Sequence, residues 1–473
     1  MSAAPDAPLP PFAERARAAV KNEKLHIALG RATDALGSRR STALGSLPNS
    51  DLVRDVARKA KMDMLHDLAG HLERFEERLK ANGVHVHWAE NSAQLNQIVV
   101  DIGRKNGVKR IVKGKSMASE ETHLNVALEG AGMTVVETDL GEYIVQLAKD
   151  RPSHIILPII HMTREEIGKV MHEQIHVPYS DDTQTLAGYA RVRLREEFLR
   201  ADMGITGTNF GVVENGTLCI VTNEGNGRMS STMPRVHVMI MGMERIVPTM
   251  HDLDLALKLL ARSATGQKLT VYTTMFRGPR RPDDEDGPQE LHVVLLDNGR
   301  ANLLGGENAE ILGCIRCGAC LNACPVYKSI GGHAYGDTYP GPIGSILTPE
   351  LRGKGEWKDL PGASSLCGAC RDVCPVRLDI PRMLLVLRNE GNKEKPAQLE
   401  LRLGMKVFRT IASRPGLYKT AAALGRFGLR LLSKNGWVKW APGLAGGWTQ
   451  VRDLKAPAKK TFQQLFRERK AKA

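Results

Sequence analysis

Seven of the eight cysteines fall in two runs between Gly313 and Pro375, and that crowding constrains the chain more than any other feature. The first run reads C-I-R-C-G-A-C-L-N-A-C-P and places Cys314, Cys317, Cys320 and Cys324 before Pro325. At the spacing C-x2-C-x2-C-x3-C-P, three close thiolates wrap one [4Fe–4S] cubane and the fourth cysteine reaches a second cluster. The second run, S-S-L-C-G-A-C-R-D-V-C-P, supplies Cys367, Cys370 and Cys374 before Pro375. Aligned on the prolines, Ser364 stands where the first run has Cys314.

Crossed ligation then predicts two iron–sulfur clusters. Cluster one takes Cys314, Cys317, Cys320 and Cys374 and is of the [4Fe–4S] type; cluster two takes Cys324, Cys367 and Cys370. Gly318, Ala319, Gly368 and Ala369 are small enough to let the backbone curl close and aim amides at the sulfides, one control on potential. Cluster two is one thiolate short. It is either a [3Fe–4S] centre or a [4Fe–4S] centre whose last iron is held by Ser364, water or a partner's side chain. Disulfide frameworks suit short secreted chains, and zinc knuckles use paired cysteines rather than a four-cysteine run closed by C-P.

At 473 residues there is room for two or three domains. No apolar run approaches the length of a membrane span, and the opening M-S-A-A-P-D-A-P-L-P-P-F is acidic where a secretory signal is basic and then apolar. Unpaired cysteines poised for metal fit a reducing compartment, so the expected location is the cytoplasm. The formal charge of +14 is concentrated in the tail, where Leu401 to Ala473 carry 17 Lys/Arg against Asp453 and Glu468. A basic tail can meet nucleic acid, anionic lipid or an acidic protein. Because the first 400 residues are near neutral, nucleic acid is the least favoured of the three, and peripheral contact with the inner membrane face stays open.

Four regions are expected. Residues 1–80 form a helical region, with charged and apolar positions interleaved from Pro11 to Leu79. Residues 81–302 alternate strand-like apolar runs with helical stretches, which argues for a mostly parallel sheet covered by helices. Its strands are V-H-V-H-W, R-I-V, M-T-V-V-E-T, H-I-I-L-P-I-I, F-G-V-V-E-N-G-T-L-C-I-V with a turn at Asn215-Gly216, V-H-V-M-I-M, L-T-V-Y-T-T and E-L-H-V-V-L-L-D. Cys219 lies within one of them as a small buried residue. Residues 303–395 form the helical cluster-binding domain, in which the 42 residues between the cysteine runs read as a packed loop too rich in Gly and Pro for a long helix. Residues 396–473 form a basic extension carrying Phe408, Tyr418, Phe427, Trp437, Trp440 and Trp448. It is either an amphipathic docking surface or a helical hairpin that packs its aromatics away.

Three further motifs carry less. H-E-Q-I-H, His172 to His176, matches a zinc-protease pattern, but Pro178 puts the second histidine at a helix end and no third ligand is marked. G-K-S at Gly114 to Ser116 resembles the end of a phosphate loop, yet Lys109 occupies the place of its first glycine. The loop Thr222, Asn223, Glu224, Gly225, Asn226, Gly227 and Arg228 follows a strand, and either presents amides and a guanidinium to a carboxylate or phosphate or is a tight polar turn.

Taken together, L-G-E-Y-I-V-Q-L (140–147), P-S-H-I-I-L-P (152–158), V-T-N-E-G-N-G-R (221–228), G-P-I-G (341–344) and the two cysteine runs resemble the lactate utilisation protein B family over nearly the whole chain. The resemblance implies a LUD-type α/β domain, similar to CoA-transferase and sugar-isomerase folds, then a ferredoxin-type helical domain and a C-terminal extension. It implies the same two cysteine sets, and two partner subunits, one a cysteine-rich iron–sulfur protein and one a short LUD protein. The expected function is electron transfer from L-lactate oxidation toward a respiratory chain. The alternative is that the LUD domain is itself catalytic, holding a small carboxylate at Thr222 to Arg228.

Overall fold

The structure is a computed structural model that describes residues 9–394, 399–442, 446–449 and 452–471; the N-terminal arm before Leu9 and the side chain of Trp448 lie outside the described residues. Helices come first: α1 (Phe12–Val20), α2 (Glu23–Gly45), α3 (Ser50–His66) and α4 (Leu68–Ala81). In α4 the apolar residues Leu68, Leu72, Phe75 and Leu79 recur at helical spacing and all four are buried. Asn22 opens α2 by accepting the Leu25 amide at 3.1 Å.

Ten strands follow in this unit: β1 (His85–Ala89), β2 (Arg110–Lys113), β3 (Thr134–Glu137), β4 (Met203–Gly207), β5 (Phe210–Val212), β6 (Thr217–Thr222), β7 (Val236–Gly242), β8 (Ile246–Val247), β9 (Tyr272–Phe276) and β10 (Glu290–Leu296). Six of them build one wholly parallel sheet in the order β1-β10-β7-β4-β2-β3. Every residue of β7 is buried, as expected of a strand covered by helices on both faces. Ile205 pairs with Val238, and Ile240 with Val294, so the apolar positions of neighbouring strands lie level. The chain leaves β2 for β3 on one side, whereas β4 lies on the other, which opens a crevice beyond the carboxyl ends of β2 and β4. The other four strands form a smaller mixed sheet, β8-β5-β6-β9, whose β5–β6 hairpin turns at Asn215 and Gly216, the latter at φ +70°.

Two expectations are corrected. The segment H-I-I-L-P-I-I is no strand: the Ser153 amide donates to the Pro158 carbonyl at 3.0 Å, and the amides of Ile156 and Leu157 both donate to Nδ1 of His154. A side chain that captures its own loop's amides leaves none for a ladder. The stretch between the cysteine runs is not all loop either, because Gly341–Arg352 is a helix of 12 residues. Pro342 stands in its first turn, where no amide is missed, and Gly353 at φ +114° ends it.

The described chain forms two compact units, residues 1–391 and 392–473. Within the first, a single core joins Leu29 of α2 and Phe210 of β5 to Ile315, Leu321, Tyr327, Ile343 and Met383 of the cysteine-bearing part. The sheet and the cysteine loops therefore share one interior. The second unit holds helices Leu399–Ala412 and Pro415–Leu431, which pack on each other, and Phe462–Lys470. Phe408, Tyr418, Phe427, Trp437 and Trp440 are exposed, so the hairpin forms but its aromatics are not hidden.

Candidate metal centre

The two cysteine runs fold alike. In the first, Gly318 at φ +73° leads into the helical turn Ala319–Ala323. In the second, Gly368 at φ +85° leads into Ala369–Val373. Arg316 and Leu366, two residues before those glycines, are both left-handed, at φ +59° and +54°. The Arg316 amide donates to Cys314 Sγ at 3.3 Å, and the Leu366 amide donates to Ser364 Oγ at 3.1 Å. The sequence alignment of Ser364 on Cys314 is thus also a backbone alignment.

The two helical turns pack against each other, and the thiols sort into crossed groups. Burial, then Cys374 and Cys314, pushes the Cys317 thiol up to about 12. Cys320 is raised by burial and next by Cys314, Cys317 and Cys374, with Cys370 of the other set adding last. Burial and Cys324 push Cys370 up to about 12, and Cys324 is raised by burial, with Cys367 adding to it. Cys374 therefore stands with the first run and Cys324 with the second. All eight cysteines are free of disulfides. Crowded, buried thiols resist ionisation by one another, and coordination to iron is what makes such a donor set anionic. Amides already point at it: Tyr327 N–H donates to Cys324 Sγ at 3.5 Å and Leu378 N–H to Cys374 Sγ at 3.4 Å. The residues fit two iron–sulfur clusters.

Distant helices fix these loops. From α3, Arg54 Nη2 donates to the carbonyls of Asp372 and Cys374 at 2.6 and 2.8 Å. From α2, Arg40 Nη2 donates to the Val373 carbonyl at 2.6 Å. His154 Nε2 meets Asn322 Oδ1 at 3.1 Å, and burial brings that imidazole down to about 3, so it stays neutral. Its Nδ1 accepts amides, which leaves Nε2–H as the donor to Asn322. Arg245, just past β7, donates to the carbonyls of Cys314 and Asn209 at 2.9 and 2.6 Å. Arg40, Arg54 and Arg245 lie in none of the motifs read from the sequence, whereas His154 lies in P-S-H-I-I-L-P and Asn322 in the first cysteine run.

A cavity of about 310 Å³ opens in the crevice past β2 and β4. Thr222, Asn223, Glu224, Asn226 and Gly227 line it, whereas Arg228 is exposed and does not. The loop's polar groups are partly used on its own neighbours: Asn223 Nδ2 donates to Gln267 Oε1 at 2.9 Å, and Glu224 accepts the Leu140 amide at 2.9 Å. Gly225 takes φ +77°, a left-handed turn that glycine adopts without strain. Lys115 and Ser116 of G-K-S also face this cavity. The H-E-Q-I-H match does not mature into a site: its helix ends at Ile175, His176 is left-handed at φ +56°, and His172 Nδ1 meets the Val177 carbonyl at 2.7 Å. Cys219 is fully buried in β6, with its thiol pushed up to about 12 by burial.

Comparison with known proteins agrees with this architecture. The LUD domain family matches residues 72–296, the 4Fe-4S dicluster domain residues 310–378, and the C-terminal region of lactate utilisation protein B residues 386–471. Lactate utilization protein B of Shouchella clausii is 43% identical over 460 residues, 97% of each chain. This chain belongs to the lactate utilisation protein B family. The Bacillus subtilis member is 41% identical over 460 residues, covering 97% of this chain and 96% of its own. An uncharacterized electron transport protein of Escherichia coli, YkgF, is 39% identical over 464 residues, 97% of each chain. Membership accounts for the order seen here, with the parallel sheet ahead of the two cysteine runs and the basic helices last.

Proposed function

We propose that the protein is the iron–sulfur electron-transfer subunit of an L-lactate oxidation system. Oxidation of lactate to pyruvate releases two electrons and two protons, and iron–sulfur clusters accept electrons one at a time. Cysteines 314, 317, 320 and 374 would hold a [4Fe–4S] cluster, and cysteines 324, 367 and 370 a [4Fe–4S] or [3Fe–4S] cluster. The observation that carries the reading is the crossed grouping of seven thiols, six of them buried or half-buried and Cys367 exposed. Cys367 gives the second set an edge at the surface, where an electron can leave for a partner.

The partners in this reading are a cysteine-rich iron–sulfur protein and a short LUD protein, with a respiratory acceptor beyond them. The relatives' names supply lactate, and the E. coli relative's name supplies electron transport. No helix among the described residues is long and apolar enough to cross a membrane. The reading therefore places the protein in the cytoplasm, with the basic second unit available to an anionic membrane face. The test is lactate-dependent bleaching of cluster absorbance in the anaerobically assembled system. Bleaching that requires this chain and disappears when its cysteines are replaced supports the relay. Unchanged clusters during lactate turnover refute it.

A further inference from the structure

The cavity past β2 and β4 is walled on one side by the loop that carries the first cysteine set. Arg316, between Cys314 and Cys317, lines it, and so does Arg245, which is bonded to the Cys314 carbonyl. Both guanidinium groups are buried: Arg245 lies over the Phe210 ring at 5.0 Å and Arg316 over the Tyr339 ring at 4.9 Å, and although burial disfavours the charge on Arg316, Cys314, Tyr339 and Glu244 together more than offset it. Arg316 Nη2 reaches Glu244 Oε1 at 3.2 Å, but the other oxygen of Glu244 is held by Arg300 Nε at 2.8 Å. Arg245 has carbonyl partners where a carboxylate would be expected. Two buried polar atoms on the cavity wall have no partner at all among the described residues: Arg316 Nη1 and Thr208 Oγ1. Such groups are rare in folded proteins and mark a missing ligand or water.

The surroundings restrict what the ligand is. Open parallel sheets bind ligands beyond the carboxyl ends of their strands where the strand order reverses, and this cavity lies there. Its volume is at the lower end of the range for small-molecule sites. Ile220, Ile240 and Leu157 give it an apolar floor beside the cationic wall. An unpaired guanidinium nitrogen suits a carboxylate oxygen, a free hydroxyl a further polar oxygen, and the apolar lining a short alkyl group.

We infer that this cavity binds a short-chain 2-hydroxy or 2-oxo carboxylate, with its carboxylate on Arg316 and its 2-oxygen on Thr208, against the loop of cluster one. The electron donor would then be held by this chain next to the first cluster. This rests on the relay reading only for the identity of the acid. Arg228, the guanidinium anticipated from sequence, is replaced by two that arrive from elsewhere in the chain.

The test is equilibrium binding to the anaerobically prepared, cluster-loaded full chain, with L-lactate, pyruvate, acetate and inorganic phosphate as probes. Saturable binding of lactate and pyruvate, tighter than acetate or phosphate, is expected. Thr208→Val and Arg316→Gln should each weaken it at least about tenfold, the gain typical of one well-placed polar contact. Arg316→Gln is scored only with iron content equal to wild type; Thr208→Val, outside the cysteine run and likewise scored at wild-type iron content, carries the test if it is not. Absence of saturable lactate and pyruvate binding, phosphate bound as tightly as lactate, or undiminished affinity in Thr208→Val overturns the proposal. Electron transfer from partner subunits through intact clusters would survive that outcome, so the two readings fail separately.

Discussion

Arg245 Nη1 donates to the carbonyl oxygen of Cys314 at 2.9 Å, tying the turn after the central strand β7 to the first cysteine of the run. The sheet and the cluster loops are therefore one mechanical piece. Arg245→Met would strand two buried carbonyls, Cys314 and Asn209, at a cost of about 2–4 kcal/mol. Denaturation of the loaded protein should show that loss together with faster iron release to a chelator. Wild-type values for both would mean that the strand end does not brace the loop.

Crossed grouping predicts crossed loss. Cys374→Ala should remove the cluster of the first run, and Cys324→Ala that of the second, although each residue sits in the opposite run. Paramagnetic resonance of the two variants separates the signals. If Cys374→Ala removed the same signal as Cys367→Ala, each run would hold its own cluster.

Ser364 repeats the backbone setting of Cys314, down to the amide received from the residue two positions on. Ser364→Cys should therefore complete a four-thiolate set around the second cluster and convert any [3Fe–4S] signal to a [4Fe–4S] one. An unaltered spectrum in Ser364→Cys and in Ser364→Ala would show that the fourth position is filled from elsewhere.

Arg300 is fully buried and donates to both oxygens of Glu121, from Nη1 at 3.0 Å and from Nη2 at 2.8 Å. Tyr339 O–H and Asn298 Nδ2 donate to the same carboxylate at 2.7 and 2.6 Å. Burial alone would raise Glu121, but the Arg300 charge and these donors bring it to about 2. A carboxyl lower in the folded than in the unfolded chain stabilises above its unfolded value and loses that stability as pH falls toward its folded one. Unfolding free energy should fall by roughly 1 kcal/mol between pH 4 and 3 from this group. Glu121→Gln should flatten that slope, and an equal slope in both proteins would discount the linkage. Removing one partner, as in Arg300→Met, should cost about 3–5 kcal/mol, because Glu121 and Glu244 stay buried without it.

What was legible in the sequence was encoded locally. The cysteine spacing specifies ligation within a single turn, and the largely apolar runs of β7 and β10, each interrupted by one histidine (His237, His292), mark strands covered on both faces. Less legible was whatever depends on a distant partner. The apolar run after Ser153 reads as a strand, yet His154 folds it into a turn against Asn322, 168 residues away. Arg54 and Cys374 meet across 320 residues, and nothing near Arg54 announces it. The loop at Thr222 was found because glycine spacing signals a turn, but the guanidiniums beside it come from residues 245 and 316.

The central claim is that seven thiols from two runs hold two iron–sulfur clusters, and anaerobic quantitation of iron and acid-labile sulfide with resonance spectroscopy tests it most directly. The account predicts a brown protein with about seven or eight iron per chain and two magnetically distinct centres. A colourless protein with zinc or disulfides at the same cysteines would contradict it.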